Sequence, residues 1–328
     1  MTDLIQAARH LPARASLPTL SVAPIRIPVP GRPRPLALRV TWPVPAAGQG
    51  ALPVVLFSHG HGPSLYLSSL DGYAPLAGFL AGQGFAVIQP THASSRSGGL
   101  GADAPGAPLF WRMRVAEMTA ILDRLDEIAA LIPGAPPQLN RDRIAAIGHS
   151  MGGQTVGMLL GARLTDPTDP DARDVDLIEP RIRAGVLLAA PGRGGDGLSA
   201  HAAAAWPALN PDFSQMTTPS LVVCGDRDDN PHLTTLGPAW HADPFHLSPG
   251  ARGARALVTL TGAGHGLGGI AGYDAKETDD EDPDRLEATR RLTAAWLRST
   301  LDPTDPVWEQ AVAALRAHAP GLGWVEGR

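Results

Sequence analysis

The chain has 328 residues, 44% of them apolar and 18% charged, with a formal net charge of −5. That composition suits a globular protein with a sizeable core, and no uncharged apolar run of about 18 residues is present to cross a bilayer. Lysine is almost absent and the arginines are scattered, so no basic stripe argues for nucleic acid or an anionic membrane surface.

The N-terminus carries Asp3 and Arg9 where a secretory signal needs a positive start and an unbroken apolar stretch, which favours a cytoplasmic location. Residues 1–21 read as an extension and 22–328 as a single domain. Within it, 24–42 reads as two edge strands joined by a Gly/Pro turn. Residues 53–58 form a buried strand, 73–83 a short helix and 85–90 a second buried strand. Across 110–131, Val115, Met118, Ile121, Leu122, Leu125 and Ile128 recur at helical spacing. There follow a strand at 143–147, a helix over about 151–163, strands at 184–190 and 220–224, a short helix at 232–241 and a strand at 255–260. Two helices, 284–300 and 305–318, close the chain.

Strands that alternate with helices and read as continuous apolar runs predict an α/β fold: a doubly wound, mostly parallel sheet with helices on both faces. Two stretches break the rhythm. The segment 164–182, rich in Asp and Pro, reads as a solvated loop. The segment 191–218, with that near 91–111, is expected to wall a pocket at the end of the sheet where such folds bind ligands. The single cysteine, Cys224, lies in a predicted strand and reads as a packing residue without a disulfide partner.

Residues 148–153 read Gly-His-Ser-Met-Gly-Gly directly after the strand 143–147. A serine hydroxyl is a weak nucleophile and needs a base and a site for the oxyanion it creates. The turn Gly-x-Ser-x-Gly lifts Ser150 above the sheet, its glycines avoid clashes at the tightest point, and the Met151 N–H becomes one oxyanion donor. Nucleotide-binding turns of this kind use Gly-x-Gly-x-x-Gly or a terminal Lys-Ser/Thr, and neither is present. The loop Ser-His-Gly-His-Gly-Pro (58–63) resembles the His-Gly-x-Gly oxyanion loops of esterases and nominates the backbone N–H of His61 as the second donor. His59 reads as a packed structural residue, and two histidines one residue apart make a weak metal signal; no metal or cofactor is expected.

The base is expected on a loop after the last predicted strand, and His265 stands there in Thr-Gly-Ala-Gly-His-Gly-Leu-Gly-Gly (261–269). The orienting acid belongs between serine and histidine, in Cys-Gly-Asp-Arg-Asp-Asp-Asn-Pro (224–231). The turn Gly-x-x-Asp selects Asp228; Asp226 reads as a turn cap, and Asp229 is the runner-up.

These segments, with Gly-Phe-Ala-Val-Ile-Gln-Pro-Thr-His (84–92), make the chain from about 52 to 301 resemble the α/β-hydrolase superfamily. Within it the likeness is to bacterial serine esterases related to dienelactone hydrolase, chlorophyllase and platelet-activating-factor acetylhydrolase. The chain order Ser150, Asp228, His265 is that superfamily's order. Dienelactone hydrolases proper use a cysteine nucleophile, which this chain lacks at 150. Cutinase-type polyester hydrolases are similar in the first segments but are usually shorter and disulfide-bonded.

The resemblance implies a carboxylic-ester hydrolase that works through an acyl-enzyme on a small or polymeric ester. Acyl transfer or amide cleavage on the same scaffold is the alternative, and a non-catalytic binding protein of the same fold is the alternative from another class. Phe110, Trp111 and Trp206 are candidates to line the substrate pocket, though aromatics so placed are as often core. The acidic run from Asp274 to Asp284 lacks calcium-loop spacing and reads as a solvated loop leading into a helix.

Overall fold

The structure is a computed structural model that describes residues 4–44, 50–101, 103–134, 137–249, 255–273 and 275–327. Strands β1 (Thr19–Ile27) and β2 (Leu36–Pro43) form the predicted antiparallel pair at one edge. The α/β units follow: β3 (Leu52–Ser58), α1 (Ala74–Gly82), β4 (Ala86–Pro90), α2 (Trp111–Asp123), α3 (Leu125–Ala130), β5 (Leu139–His149) and α4 (Met151–Leu159). After these come β6 (Arg163–Leu164), β7 (Ile182–Leu188), α5 (Ala200–Ala205), β8 (Pro211–Asp212), β9 (Ser220–Gly225), α6 (Asp243–His246) and β10 (Arg255–Leu260). Helices α7 (Pro283–Leu301) and α8 (Val307–His318) precede a last strand, β11 (Gly323–Gly327).

Nine strands form one sheet in the order β1-β2-β4-β3-β5-β7-β9-β10-β11. The pairings from β4 through β10 are parallel, and both edges are antiparallel. The reason is visible in β3. Val54 and Leu56 pack with Val115, Met118 and Ile121 of α2, while Val55 and Phe57 pack with Leu76 and Leu80 of α1 and Trp296 of α7. Alternate side chains therefore feed two apolar layers, each closed by helices, which is why the strand reads as a continuous apolar run. Burying one such side chain contributes about 1.5–3 kcal/mol, so neither face can stay open. Among the described residues no helix is long and apolar enough to cross a membrane.

Several elements differ from expectation. The predicted helix 110–131 is two helices, because Arg124 between them leaves helical geometry at φ −121° and ψ 22°. The helix after Ser150 ends at Leu159 rather than near 163, the chain turning back through Gly161 at φ +108°. The expected helix 232–241 is a 3₁₀ turn, Gly237–Ala242, running into α6. The chain does not close on helices: β11 lies antiparallel to β10, a short edge strand with too little apolar alternation to be read beforehand.

The N-terminal residues are docked onto α7. The Asp284 carboxylate, in the first turn of α7, accepts from the N–H groups of Gln6, Ala7 and Ala8 at 2.8–3.1 Å. Ala8 and Leu11 are buried in the same apolar layer as α7. Asp284→Ala leaves those donors without their acceptor and is expected to lower the free energy of unfolding by about 1–3 kcal/mol. Urea unfolding of the two proteins measures this, and a stability equal to that of the parent would contradict the docking.

Candidate active site

Strand β5 passes directly into α4 through Ser150, whose backbone sits at φ 53° and ψ −123°. Positive φ is costly for a residue with a side chain and persists only where its surroundings over-determine it. Ser150 N–H donates to Leu188 O at 2.9 Å, and Gly153 N–H donates back to Ser150 O at 2.7 Å. A Cβ at Gly148 would collide with the Gly152 backbone, and one at Gly152 with the Ser58 carbonyl. Ser150 is half-buried, and Met151 is the first residue of α4, so its N–H belongs to the first turn that lacks helical acceptors.

Asp228 and His265 meet. The carboxylate lies on the loop after β9, is only 3% exposed, and receives His265 Nδ1–H at 2.9 Å and 3.1 Å. The two competing acids go elsewhere: Asp226 accepts Gly262 N–H at 2.6 Å, and Asp229 is exposed. A second imidazole flanks Asp228. His241 Nε2 lies 3.2 Å from Oδ2, off the line of a well-aligned hydrogen bond, and His241 Nδ1 is 2.8 Å from Ala190 O. Burial opposes ionisation of Asp228, but the His265 charge, with the hydrogen bonds from His265 and the nearby His241, outweighs it and holds the carboxyl well below its usual range. For His265, burial disfavours the charge while Asp228 favours it more strongly, so its pKa lies above the ordinary value of 6.5.

Donor atoms of Asp228, His241 and His265 lie within 4.8 Å of one another, close enough to hold a cation. A metal there would have to displace the Nδ1 proton that Asp228 fixes, so the arrangement suits a proton better. Among the described residues no hydrogen bond joins Ser150 Oγ to the His265 imidazole. The two loops are nonetheless adjacent: the ring of His149 lies 4.8 Å from that of His265 between centroids.

The loop after β3 rests on a buried polar scaffold that sequence reasoning missed. Ser58 Oγ–H donates to His92 Nε2 at 2.8 Å, and His92 Nδ1–H donates to Glu117 at 2.5 Å. Arg32 pairs with Glu117, and Arg114 donates to the His59 carbonyl, to Ser58 Oγ at 3.1 Å and to Thr155 Oγ1 at 2.9 Å. His59 Nε2 accepts His92 N–H at 3.0 Å and its Nδ1–H donates to Gly60 O, so His59 is the packed residue expected. Ser58, His92 and Glu117 have the hydrogen-bond order of a catalytic triad, yet all three are buried with the serine hydroxyl fully engaged. The clue was polar: Arg114 and Glu117 occupy the inward face of a helix, where charge is admitted only if paired. The His61 N–H, one residue beyond the scaffold, meets no acceptor among the described residues.

The acidic run is not simply solvated. Asp280 accepts the N–H groups of Gly264, Gly266 and Gly268 at 2.8–3.2 Å and so cradles the His265 loop. Glu277 accepts Ser64 N–H at 2.9 Å, and Asp282 caps α7 through Arg285 N–H at 2.8 Å. Asp274 lies outside the described residues. These acids lack an apolar pattern, so only the folded loop reveals what they hold. Phe110, Trp111 and Trp206 line one cleft of about 570 Å³, with Leu109, Asp166 and Ala208. Trp111 Nε1–H donates to Asp166 at 3.2 Å. Leu109 and Trp206 also pack in the apolar cluster that contains Met151, which links this cleft to the serine turn.

Two pH effects follow. Since the His265 pKa is raised, its contribution to stability is full below about 6.5 and is lost as pH rises through the folded value. For Asp228 it is full above about 3.8 and lost as pH falls. In Asp228→Asn the His265 imidazole, followed by NMR, is expected to titrate at lower pH than in the parent; an unchanged midpoint would contradict the pairing. Burial depresses His59, His92 and His149, the last to about 3. Desolvation depresses His61 as well, so below pH 6.5 these four histidines let the unfolded chain bind up to four more protons than the folded one. Glu117, raised by burial to about 6, offsets one of them between pH 6 and 4.5. Urea midpoints measured from pH 7 to pH 5 are expected to fall steeply, and a flat profile would contradict neutral buried histidines.

No protein-family model matches the chain. No curated protein matches its sequence. The mostly parallel sheet and its helices form an α/β fold that is compatible with the α/β-hydrolase superfamily.

Proposed function

We propose that the chain is a serine hydrolase of the α/β-hydrolase type that cleaves carboxylic esters. One observation carries the reading: a half-buried serine on a strained strand-to-helix turn lies beside a loop whose histidine is bound to a buried carboxylate. Asp228 keeps the proton of His265 on Nδ1, which leaves the Nε2 lone pair to act as base.

In the proposed reaction His265 Nε2 takes the Ser150 hydroxyl proton as Oγ attacks the ester carbonyl carbon. The carbonyl oxygen becomes an oxyanion that accepts from the N–H groups of His61 and Met151. The tetrahedral intermediate then expels the alcohol, which leaves with the proton from His265. Water, deprotonated by the same imidazole, attacks the acyl-enzyme; the second tetrahedral intermediate collapses to release the acid and restore the serine. The residues named need no cofactor for these steps. The cleft walled by Leu109, Phe110, Trp111 and Trp206 offers an apolar surface for the acyl or alcohol group.

Ser150→Ala is expected to lower kcat for p-nitrophenyl esters by on the order of 10⁴ or more and to abolish labelling by a fluorophosphonate, with the circular dichroism unchanged. A series from acetate to palmitate, with a polyester film alongside, ranks the substrates. Undiminished turnover in Ser150→Ala would overturn the assignment.

A further inference from the structure

Three loops have to hold register for the proposed reaction: the one carrying the His61 N–H, the turn at Ser150 and the loop of His265. They come from different strands, β3, β5 and β10, and each is rich in glycine. One buried chain of hydrogen bonds crosses all three. Gly60 N–H donates to the Tyr73 hydroxyl at 3.0 Å. That hydroxyl lies 2.8 Å from His149 Nδ1, and His149 Nε2 lies 2.8 Å from the carbonyl oxygen of His265.

The proton positions follow from the partners. The His265 carbonyl can only accept, so His149 carries its proton on Nε2. Nδ1 is then an acceptor, and the Tyr73 hydroxyl donates to it while accepting from Gly60. Every member is satisfied in one direction only, and each is buried apart from the half-buried His265. Burial also keeps His149 neutral, so it does not add charge beside the base. Tyr73 is further anchored at its own backbone: it sits at φ 65°, and its N–H donates at 3.0 Å to Ala271 O in the His265 loop. Its ring packs on Phe57 with centroids 4.9 Å apart. A Cβ on Gly60 would lie 2.9 Å from the Tyr73 hydroxyl and 3.4 Å from His149 Nδ1, so the residue there is small because the strut passes beside it.

We propose that Tyr73 and His149 are positioning residues, a hydrogen-bonded strut that fixes the oxyanion loop, the serine turn and the base loop relative to one another. The proposal rests on the serine-hydrolase reading. A displacement of the reacting groups by about 1 Å costs up to roughly a hundredfold in rate, so a strut of this kind acts on kcat rather than on substrate affinity. Tyr73→Phe removes one oxygen and keeps the ring. It is expected to lower kcat for p-nitrophenyl butyrate by about tenfold to a hundredfold, with KM changed less than about threefold, well below its unfolding midpoint. His149→Leu is expected to do the same. His149→Gln, whose amide N–H can still reach the His265 carbonyl, should restore part of the rate. Because either single change cuts the same strut, Tyr73→Phe with His149→Leu should be little worse than His149→Leu alone.

A parent that labels with fluorophosphonate, paired with a folded Tyr73→Phe whose kcat lies within about twofold of it, overturns the strut and leaves the hydrolase reading standing. Fully additive losses in the double variant overturn it as well. A parent that neither labels nor turns over esters overturns the hydrolase reading itself, and the positioning role with it. Long-range ¹H–¹⁵N spectra of the parent give a check that needs no variant to fold. The neutral Nε2–H tautomer is expected for His149, and the Nδ1–H tautomer overturns the strut.

Discussion

Helix α4 starts in backbone contact with its neighbours. No side chain fits at Gly148, Gly152 or Gly153, where a Cβ would meet the Gly152 backbone, the Ser58 carbonyl and Ala190 respectively. This approach is the constraint on which the rest depends. Within it Ser150 sits at φ 53°, and the hydrogen bonds to Leu188 and from Gly153 hold the residue in the strained conformation. It also brings the end of β3 against the first turn of α4, so the loop 58–62 and the serine turn are neighbours by construction. A single methyl group at Gly152 would separate them.

Two sets of serine, histidine and carboxylate are built around that contact, and their contrast shows what confers reactivity in the proposed mechanism. Ser58, His92 and Glu117 are sealed in the core, with Arg114 donating to the serine oxygen and Arg32 pairing with the carboxylate. A hydroxyl whose proton and lone pair are both committed, beyond the reach of solvent, is a brace. Ser150, Asp228 and His265 have similar groups in a different setting: the serine is half-buried and strained, and among the described residues the imidazole has a hydrogen-bond partner on Nδ1 only. Position on the sheet and access to solvent separate the two sets.

The buried charges bear on stability as much as on chemistry. Glu117, Arg32 and Arg114 have left water together, and the loss of any one strands the others without compensation. The scaffold under the loop 58–62 is therefore all-or-nothing, a reason for the loop to keep one shape. Asp280 works by the same logic at the other end of the site, where one carboxylate collects three glycine N–H groups that would otherwise be loose.

Much of this was legible in the chain before folding. Continuous apolar runs at 53–58, 143–147, 184–190, 220–224 and 255–260, short and alternating with helical periodicity, specify strands covered on both faces. The turn at 148–153 and the glycines around His265 mark where backbone must bend tightly, and that is a local property. What the sequence could not disclose was pairing at a distance. The turn Gly-x-x-Asp favours Asp228 over Asp226 and Asp229, but only the folded loop aims Asp228 at His265 and turns Asp229 to solvent. His241, His92, Glu117, Tyr73 and Asp280 carry no motif, since their side-chain partners lie up to 85 residues away and were chosen by the crossing of strands. Periodicity and turn chemistry are written locally and can be read locally. Hydrogen-bond direction inside a core depends on which strand ends meet, and the tertiary structure alone decides it.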